Sequence, residues 1–287
     1  MEAAAGQNPT NSSALQLWLA YPGDLSEPAV EEACAALLDD AERARAARFR
    51  FDRHRREYLA THALTRVALS HAHPVSSQAW RFSVNKYGKP SPIPECGLRF
   101  NQSNSVELAV CLIARPVARP IAAIAAQSGA AAPDVGVDVE SFARAQEIVP
   151  LAVRVFSAAE RAQLEVLPIT ARPDRALSLW TLKEAYIKAR GMGLSLPLDG
   201  ISFLFDGPNT DVPQARRFES VPQATRFEVA PGVDDDPCRW RFCRFDHAGH
   251  RIALAVEAAA AGQLEIFEAR PPLAPPARLA WGSPAWF

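Results

Sequence analysis

The chain has 287 residues, 48% of them hydrophobic, enough to bury a core as one large domain or as two of about 100–150 residues each. Its 31 Lys and Arg against 32 Asp and Glu leave a net charge of −1, which excludes a generally basic nucleic-acid binder and confines phosphate recognition to local clusters. No apolar run reaches the ~20 residues of a membrane helix, and Met1–Pro9 lacks the cationic start and apolar centre of a signal peptide. The five cysteines, Cys34, Cys96, Cys111, Cys238 and Cys243, form no CxxC pair. They predict neither a disulfide framework nor a zinc site, and a reducing cytoplasm is the expected location. His71 and His73 read as a surface pair at a helix end, since no partner ligands lie near them in sequence.

In chain order, residues 1–14 are small and polar and are expected to be disordered. A strand is predicted at Leu15–Leu19. Helices follow at Pro28–Arg48 and Asp52–His71, the second with Leu59, Ala63, Leu64 and Val67 at helical spacing. Strands come next at Trp80–Val84, Leu98–Asn101 and Val106–Ile113, the turn Tyr87-Gly88-Lys89-Pro90 separating the first two. Ala114–Pro133, with Pro116, Pro120, Gly129 and Pro133, reads as an irregular excursion or a hairpin. Val135–Glu140 is a strand. Ser157-Ala158-Ala159-Glu160 has the form of a capping box, so a helix starts at Ala158. A long helix runs from near Asp174 to Arg190, stopped by Gly191 and Gly193. Strands are then predicted at Ile201–Phe205, Arg226–Val229, Arg239–Phe245 and Arg251–Glu257. This order predicts an α+β fold in two halves, residues 15–134 and 135–270, followed by a proline-rich tail, 271–287, that is either loose or packed on the body.

Three segments carry chemistry. On a strand over Val135–Glu140 the valines share one face, and Gly136, Asp138 and Glu140 the other. The two carboxylates then sit about 7 Å apart and repel unless a cation lies between them; magnesium suits such hard oxygen ligands. The alternative is an edge strand whose polar face meets water. In the long helix, Leu177, Trp180 and Glu184 share a stripe, with Lys188 one turn further. Glu184 is either paired with Lys188 along the helix or is a third metal ligand, with Lys183 and Lys188 toward phosphates. Arg43, Arg45, Arg48, Arg50, Arg53, Arg55 and Arg56 form either a salt-bridged solvated face or an anion site. No aromatic platform accompanies them, which argues against RNA.

These segments together resemble the 4′-phosphopantetheinyl transferase superfamily, in its larger monomeric form that activates peptide, polyketide and fatty-acid synthases. The resemblance runs from about Arg43 to Phe205. It rests on Gly136-Val137-Asp138-Val139-Glu140, and on Trp180-Thr181-Leu182-Lys183-Glu184-Ala185 continuing through Lys188 to Gly191-Met192-Gly193-Leu194-Ser195. Tyr87-Gly88-Lys89-Pro90 and Phe156-Ser157 with Glu160 extend it. The resemblance implies two similar α+β halves related by a pseudo-twofold axis, with coenzyme A between them. It implies transfer of the 4′-phosphopantetheine group from coenzyme A to a serine of an apo acyl or peptidyl carrier protein, releasing 3′,5′-ADP. It also implies magnesium held by Asp138, Glu140 and Glu184. Coenzyme A contacts are implied for Arg45, Arg56, Lys89, Pro90, Ser103, Asn104, Asp138, Lys183 and Lys188. The catalytic set is Glu184, Lys188 and Glu140, with Glu184 the first choice of base. One departure stands out. In Phe100-Asn101-Gln102-Ser103-Asn104-Ser105 the family's histidine, which meets the 3′-phosphate, is replaced by Asn104, a neutral donor. That position is the sole support for an alternative, a non-catalytic coenzyme A or carrier-protein binder. A monomer is expected, without nucleic-acid or membrane partners.

Overall fold

The computed structural model describes residues 14–116, 132–206, 219–220, 224, 226–270, 275–281 and 284–287. Of the disorder expected at 1–14, residues 1–13 lie outside these residues, as does most of the excursion, 117–131; Ala14 is described, its carbonyl accepting from the Arg115 N–H. In chain order the elements are β1 (Leu15–Ala20), α1 (Pro28–Ala35), α2 (Asp40–Ala46), α3 (Asp52–Ala72), β2 (Arg81–Val84), β3 (Pro90–Ile93), β4 (Arg99–Ser105), β5 (Leu108–Ala114) and β6 (Val135–Ser141). They continue as α4 (Ala145–Ile148), α5 (Ala152–Val155), α6 (Ala158–Glu165), α7 (Arg172–Arg190), β7 (Ile201–Leu204), β8 (Glu219–Ser220), β9 (Arg226–Val229), β10 (Trp240–His247), β11 (His250–Glu257), β12 (Leu264–Glu268) and β13 (Ala277–Leu279). The fold is α+β, as expected. No helix among the described residues is long and apolar enough to cross a membrane.

Two main sheets have the orders β13-β12-β1-β5-β4 and β6-β11-β10-β8. Strand alternation splits their side chains between layers. On β1 and β5, Trp18, Cys111 and Ile113 pack under α3 with Leu59, Ala63 and Leu64. On the second sheet, Phe242, Ala253 and Ala255 pack under α7 with Leu179, Leu182 and Ala185. The opposite faces share one core: Leu15, Leu17, Val110 and Leu112 meet Val135, Val137, Val139, Leu254 and Val256. The sheets approach each other along β4 and β6, where side chains replace a backbone ladder. Asn101 Oδ1 accepts from the Val137 N–H at 2.9 Å, and Ser105 Oγ accepts from the Ser141 N–H at 3.0 Å.

One expectation needs correction. The helix over Pro28–Arg48 is two helices, because Asp39 and Glu42 form a capping box that restarts the chain at Asp40. β12, from residues 135–270, joins the first sheet and lies parallel to β1, Leu17 opposite Ile266. The tail is a packed arm where it is described. β13 edges the first sheet, Trp281 lies against Phe245, and the Phe287 backbone exchanges two hydrogen bonds with Phe242.

Glu42 ties this half together. Besides the capping N–H of Asp39 it accepts from Arg66, fully buried, at 2.5 Å, and from His62 Nδ1 at 2.9 Å. Burial pushes its carboxyl up, but the His62 hydrogen bond, the Asp39 N–H and the charges of His62 and Arg66 outweigh it and hold the pKa at about 2. A carboxyl depressed on folding stabilises the protein above its unfolded value near 4.5, and that stability is lost as pH falls toward 2. Glu42→Gln should therefore cost about 1–2 kcal/mol at neutral pH, allowing for solvent screening. Urea melts across a pH series should show the deficit shrinking below pH 4.5; a deficit constant down to the acid limit of folding would contradict this.

Candidate active site

The site depends on how closely α7 lies on β6. A side-chain carbon at Gly136 would fall 2.0 Å from the Ala185 carbonyl oxygen and 2.4 Å from the Ala189 nitrogen. Only glycine lets the helix backbone rest on the strand there. That contact brings Glu184 and Lys188 beside Asp138, on the strand face read from the sequence. The helix ends at Gly191 in the left-handed conformation, φ 61°, as expected of its C-terminal glycine.

Lys188 Nζ donates to Asp138 Oδ1 at 2.6 Å and to Ser103 Oγ at 2.8 Å, and Ser103 Oγ donates to Asp138 Oδ1 at 3.0 Å. Lys188 thus joins β4, β6 and α7 rather than closing a local pair with Glu184. Glu140 points the same way as Asp138, but Arg144 Nη1 reaches both its oxygens at 2.7 Å and Trp180 Nε1 donates at 3.0 Å. Glu184 lines the cleft. Burial, then the charge of Asp138, pushes its carboxyl above the ordinary range, with Lys188 opposing. Glu140 is raised for the same two reasons, burial and Asp138. Asp138 thus repels both neighbouring carboxyls, a repulsion that a cation would relieve.

A magnesium ion fits these residues on one local observation: Asp138 Oδ2 is buried and has no hydrogen-bond partner. A buried carboxylate oxygen left unpaired is costly. Among the described residues no three His, Cys, Asp or Glu side chains form a preassembled metal cage. Magnesium bound through one or two carboxylates plus substrate phosphates needs none.

Two cavities meet at Lys188 and Gln102. One, of about 340 Å³, is lined by Tyr87, Gly88, Lys89, Pro90, Glu184, Gly191 and Gly193 among others. The other, about 260 Å³, is lined by Tyr58, Thr61, His62, Ser103 and Asn104. The structure thus brings Lys89, Pro90, Ser103, Asn104, Glu184 and Lys188 to one cleft, with Asp138 bonded to its Lys188 and Ser103. Arg45 lies over the Tyr58 ring, 5.6 Å from its centre, behind the second cavity. Arg56 lines neither cavity. Of the other arginines, Arg43 pairs with Asp40, and Arg55 with Glu31 and Asp52, as a salt-bridged face would.

Lys183 is a correction. Its side chain is 1% exposed and pairs with Glu160 at 2.8 Å. It also donates to the carbonyls of Leu198 and Ile201 at 2.7 and 2.5 Å. These partners use all three ammonium N–H groups, so none reaches a phosphate. Glu160 completes the capping box and accepts from the Phe203 N–H, fastening α6, α7 and β7 together. His62, Thr61 and Gln102 escaped the sequence reading. The available signal was spacing: His62 lies four residues after Tyr58 and four before Arg66, on the inward stripe of α3.

Comparison with known families gives the class of protein. The family model described as the 4′-phosphopantetheinyl transferase superfamily matches residues 134–255. The chain is 31% identical over 187 residues to 4′-phosphopantetheinyl transferase HetI of Nostoc sp. strain PCC 7120, covering 64% of this chain and 71% of that protein. It is 31% identical over 140 residues to 4′-phosphopantetheinyl transferase Sfp of Bacillus subtilis strain 168, covering 48% of this chain and 54% of that one. A solved holo-(acyl-carrier-protein) synthase from Bacillus anthracis, in complex with CoA (3′,5′-ADP), overlaps 35% of this chain and 92% of its own at 18% identity and TM-score 0.30. The chain belongs to the 4′-phosphopantetheinyl transferase superfamily.

Proposed function

We propose that the protein transfers the 4′-phosphopantetheine group of coenzyme A to a serine of an apo acyl or peptidyl carrier protein, giving holo carrier protein and 3′,5′-ADP. The observation that carries the reading is the meeting of Asp138, Glu184 and Lys188 at one cleft, with Asp138 Oδ2 buried and unpartnered. A pseudo-twofold relation of two α+β halves, residues 15–134 and 135–270, is part of the reading. The packing of one long helix, α3 or α7, on each sheet supports it.

Asp138 and Glu184, with Glu140 once Arg144 turns outward, would hold magnesium. When bound, the ion neutralises charge on the pyrophosphate oxygens. In the reaction the serine oxygen bonds to the β-phosphorus, and the bond from that phosphorus to 3′,5′-ADP breaks. Glu184 takes the serine proton, from its place in the cavity wall beside Lys188. Lys188, at the wall shared by both cavities, steadies the negative charge of the leaving phosphate. The remaining work is positioning, as phosphoryl transfer requires. Calorimetric titration with coenzyme A should show binding that chelation of magnesium weakens. Equal affinity with and without metal would remove the metal site; no binding under either condition would remove the function.

Asn104 lines the second cavity as a neutral donor. Asn104→His should tighten coenzyme A several-fold at pH 6, where a protonated imidazole adds a charge-assisted hydrogen bond worth about 1.5–3 kcal/mol at most, and little at pH 8. Dephospho-coenzyme A should gain nothing. An equal gain for both ligands would show that Asn104 does not face the 3′-phosphate.

A further inference from the structure

The turn from Asn85 to Pro90 reaches across to the end of α7. Asn85 builds it: Oδ1 accepts from the N–H groups of Tyr87 and Lys89, both at 2.9 Å. The Asn85 N–H donates to the Lys89 carbonyl at 3.0 Å, and Gly88 takes φ 90°. With its remaining group, Nδ2, Asn85 donates to the Gly191 carbonyl at 2.8 Å. Lys89 makes the parallel contact. Its Nζ donates to the Ala189 carbonyl at 2.6 Å and the Val135 carbonyl at 3.3 Å, and lies 3.9 Å from Asp134. The two carbonyls take two of the three ammonium N–H groups, and Asp134 adds an ion pair at a longer distance. Its stem crosses Gly191, where an added side-chain carbon would lie 2.5 Å from Lys89 Cδ.

The end of a helix is where such a contact counts. The last carbonyls of α7 have no partners within the helix and carry partial negative charge, which a cation and an amide donor satisfy. The Lys89 side chain is only 15% exposed, so its charge faces protein groups rather than the cavity its residue lines.

We propose that Lys89 is a positioning residue: with Asn85 it latches the Asn85–Pro90 turn onto the carbonyl end of α7, fixing the cavity wall made by Tyr87, Gly88 and Pro90, without touching a phosphate. This rests on the coenzyme A reading above, in which that wall seats the nucleoside. The latch also ties the wall to the helix bearing Glu184 and Lys188, so the nucleoside seat and the reacting end of the ligand keep one spacing.

The test uses Lys89→Met, which keeps the stem and removes the ammonium, together with Asn85→Ala and the double variant. Affinities for coenzyme A, 3′,5′-ADP and adenosine are measured by competition, and amide exchange is measured on the ligand-free proteins. Each single variant should weaken all three ligands by the same factor, about tenfold, and raise KM. The double variant should be little worse than the weaker single, because either change opens the same latch. Exchange at Tyr87, Lys89 and Gly191 should quicken in each. Weakening of coenzyme A and 3′,5′-ADP with adenosine unaffected would overturn the proposal, because Lys89 would then meet a phosphate. Additive losses, or unchanged exchange, would overturn it as well. If the unmodified protein bound none of the three ligands, the coenzyme A reading would fall, and the exchange data would still decide whether the latch exists.

Discussion

Asp138→Ala and Glu184→Ala are each expected to reduce transfer by more than about a hundredfold while the protein stays folded. Replacing groups that merely support metal ligands costs about 10–100-fold, and these carboxylates are the proposed ligands themselves. Folding should survive because the cluster is not built for stability. Burial and the charge of Asp138 raise the Glu184 carboxyl on folding. A carboxyl raised in this way contributes its stability only below its unfolded pKa, and loses it as pH rises through the folded value. At neutral pH the ionised cluster therefore opposes folding, and removing one member relieves that opposition. Asp138→Ala gives up the Lys188 ion pair in exchange, so its melting temperature should stay within a few degrees of the parent. Steady-state transfer and a thermal melt on each variant check both halves. Near-full activity with an unchanged magnesium requirement would remove that residue from the site; lost activity in an unfolded variant would make its role structural.

Gly136→Ala should have the largest effect on the fold itself. A single methyl group would press on the backbone of Ala185 and Ala189 at 2.0 and 2.4 Å, and neither can rotate away as a side chain would. Overpacking against side chains costs about 1–3 kcal/mol; against a helix backbone the cost lies at or beyond the top of that range. Any relief moves α7 outward and carries Glu184 and Lys188 away from Asp138, so activity should fall in whatever fraction remains folded. Gly232→Ala is the matched control, since an added carbon there meets nothing within 4 Å. Comparing the two by chemical denaturation separates close approach from the general cost of losing a glycine. Equal stability for both variants would refute the close approach of α7 to β6.

Much of the architecture was legible because it is local. Ser157 with Glu160 announced a helix start, and Gly191 a helix end, through backbone groups a few residues apart. The alternation of Val135, Val137 and Val139 against Asp138 and Glu140 likewise survives in the structure, because a strand with one buried face admits a single register. What escaped was long-range. β12 earns its place by pairing with β1, far away in sequence. Lys183 and Lys188 look alike on the helix, yet one turns to Glu160 and the core while the other reaches Asp138 and Ser103. Periodicity cannot separate them, because their partners come from other elements. His62 was hidden for the same reason: its Glu42 partner and its cavity belong to other parts of the chain.

The most direct test of the central claim is the intact mass of an apo carrier protein after incubation with this protein, coenzyme A and magnesium. The expected result is one added phosphopantetheine on the carrier serine, absent when that serine is replaced by alanine and absent with the Glu184→Ala variant. A carrier mass that stays unchanged across apo carriers from fatty-acid, polyketide and peptide synthases, with protein shown to be folded and to bind coenzyme A, would contradict it.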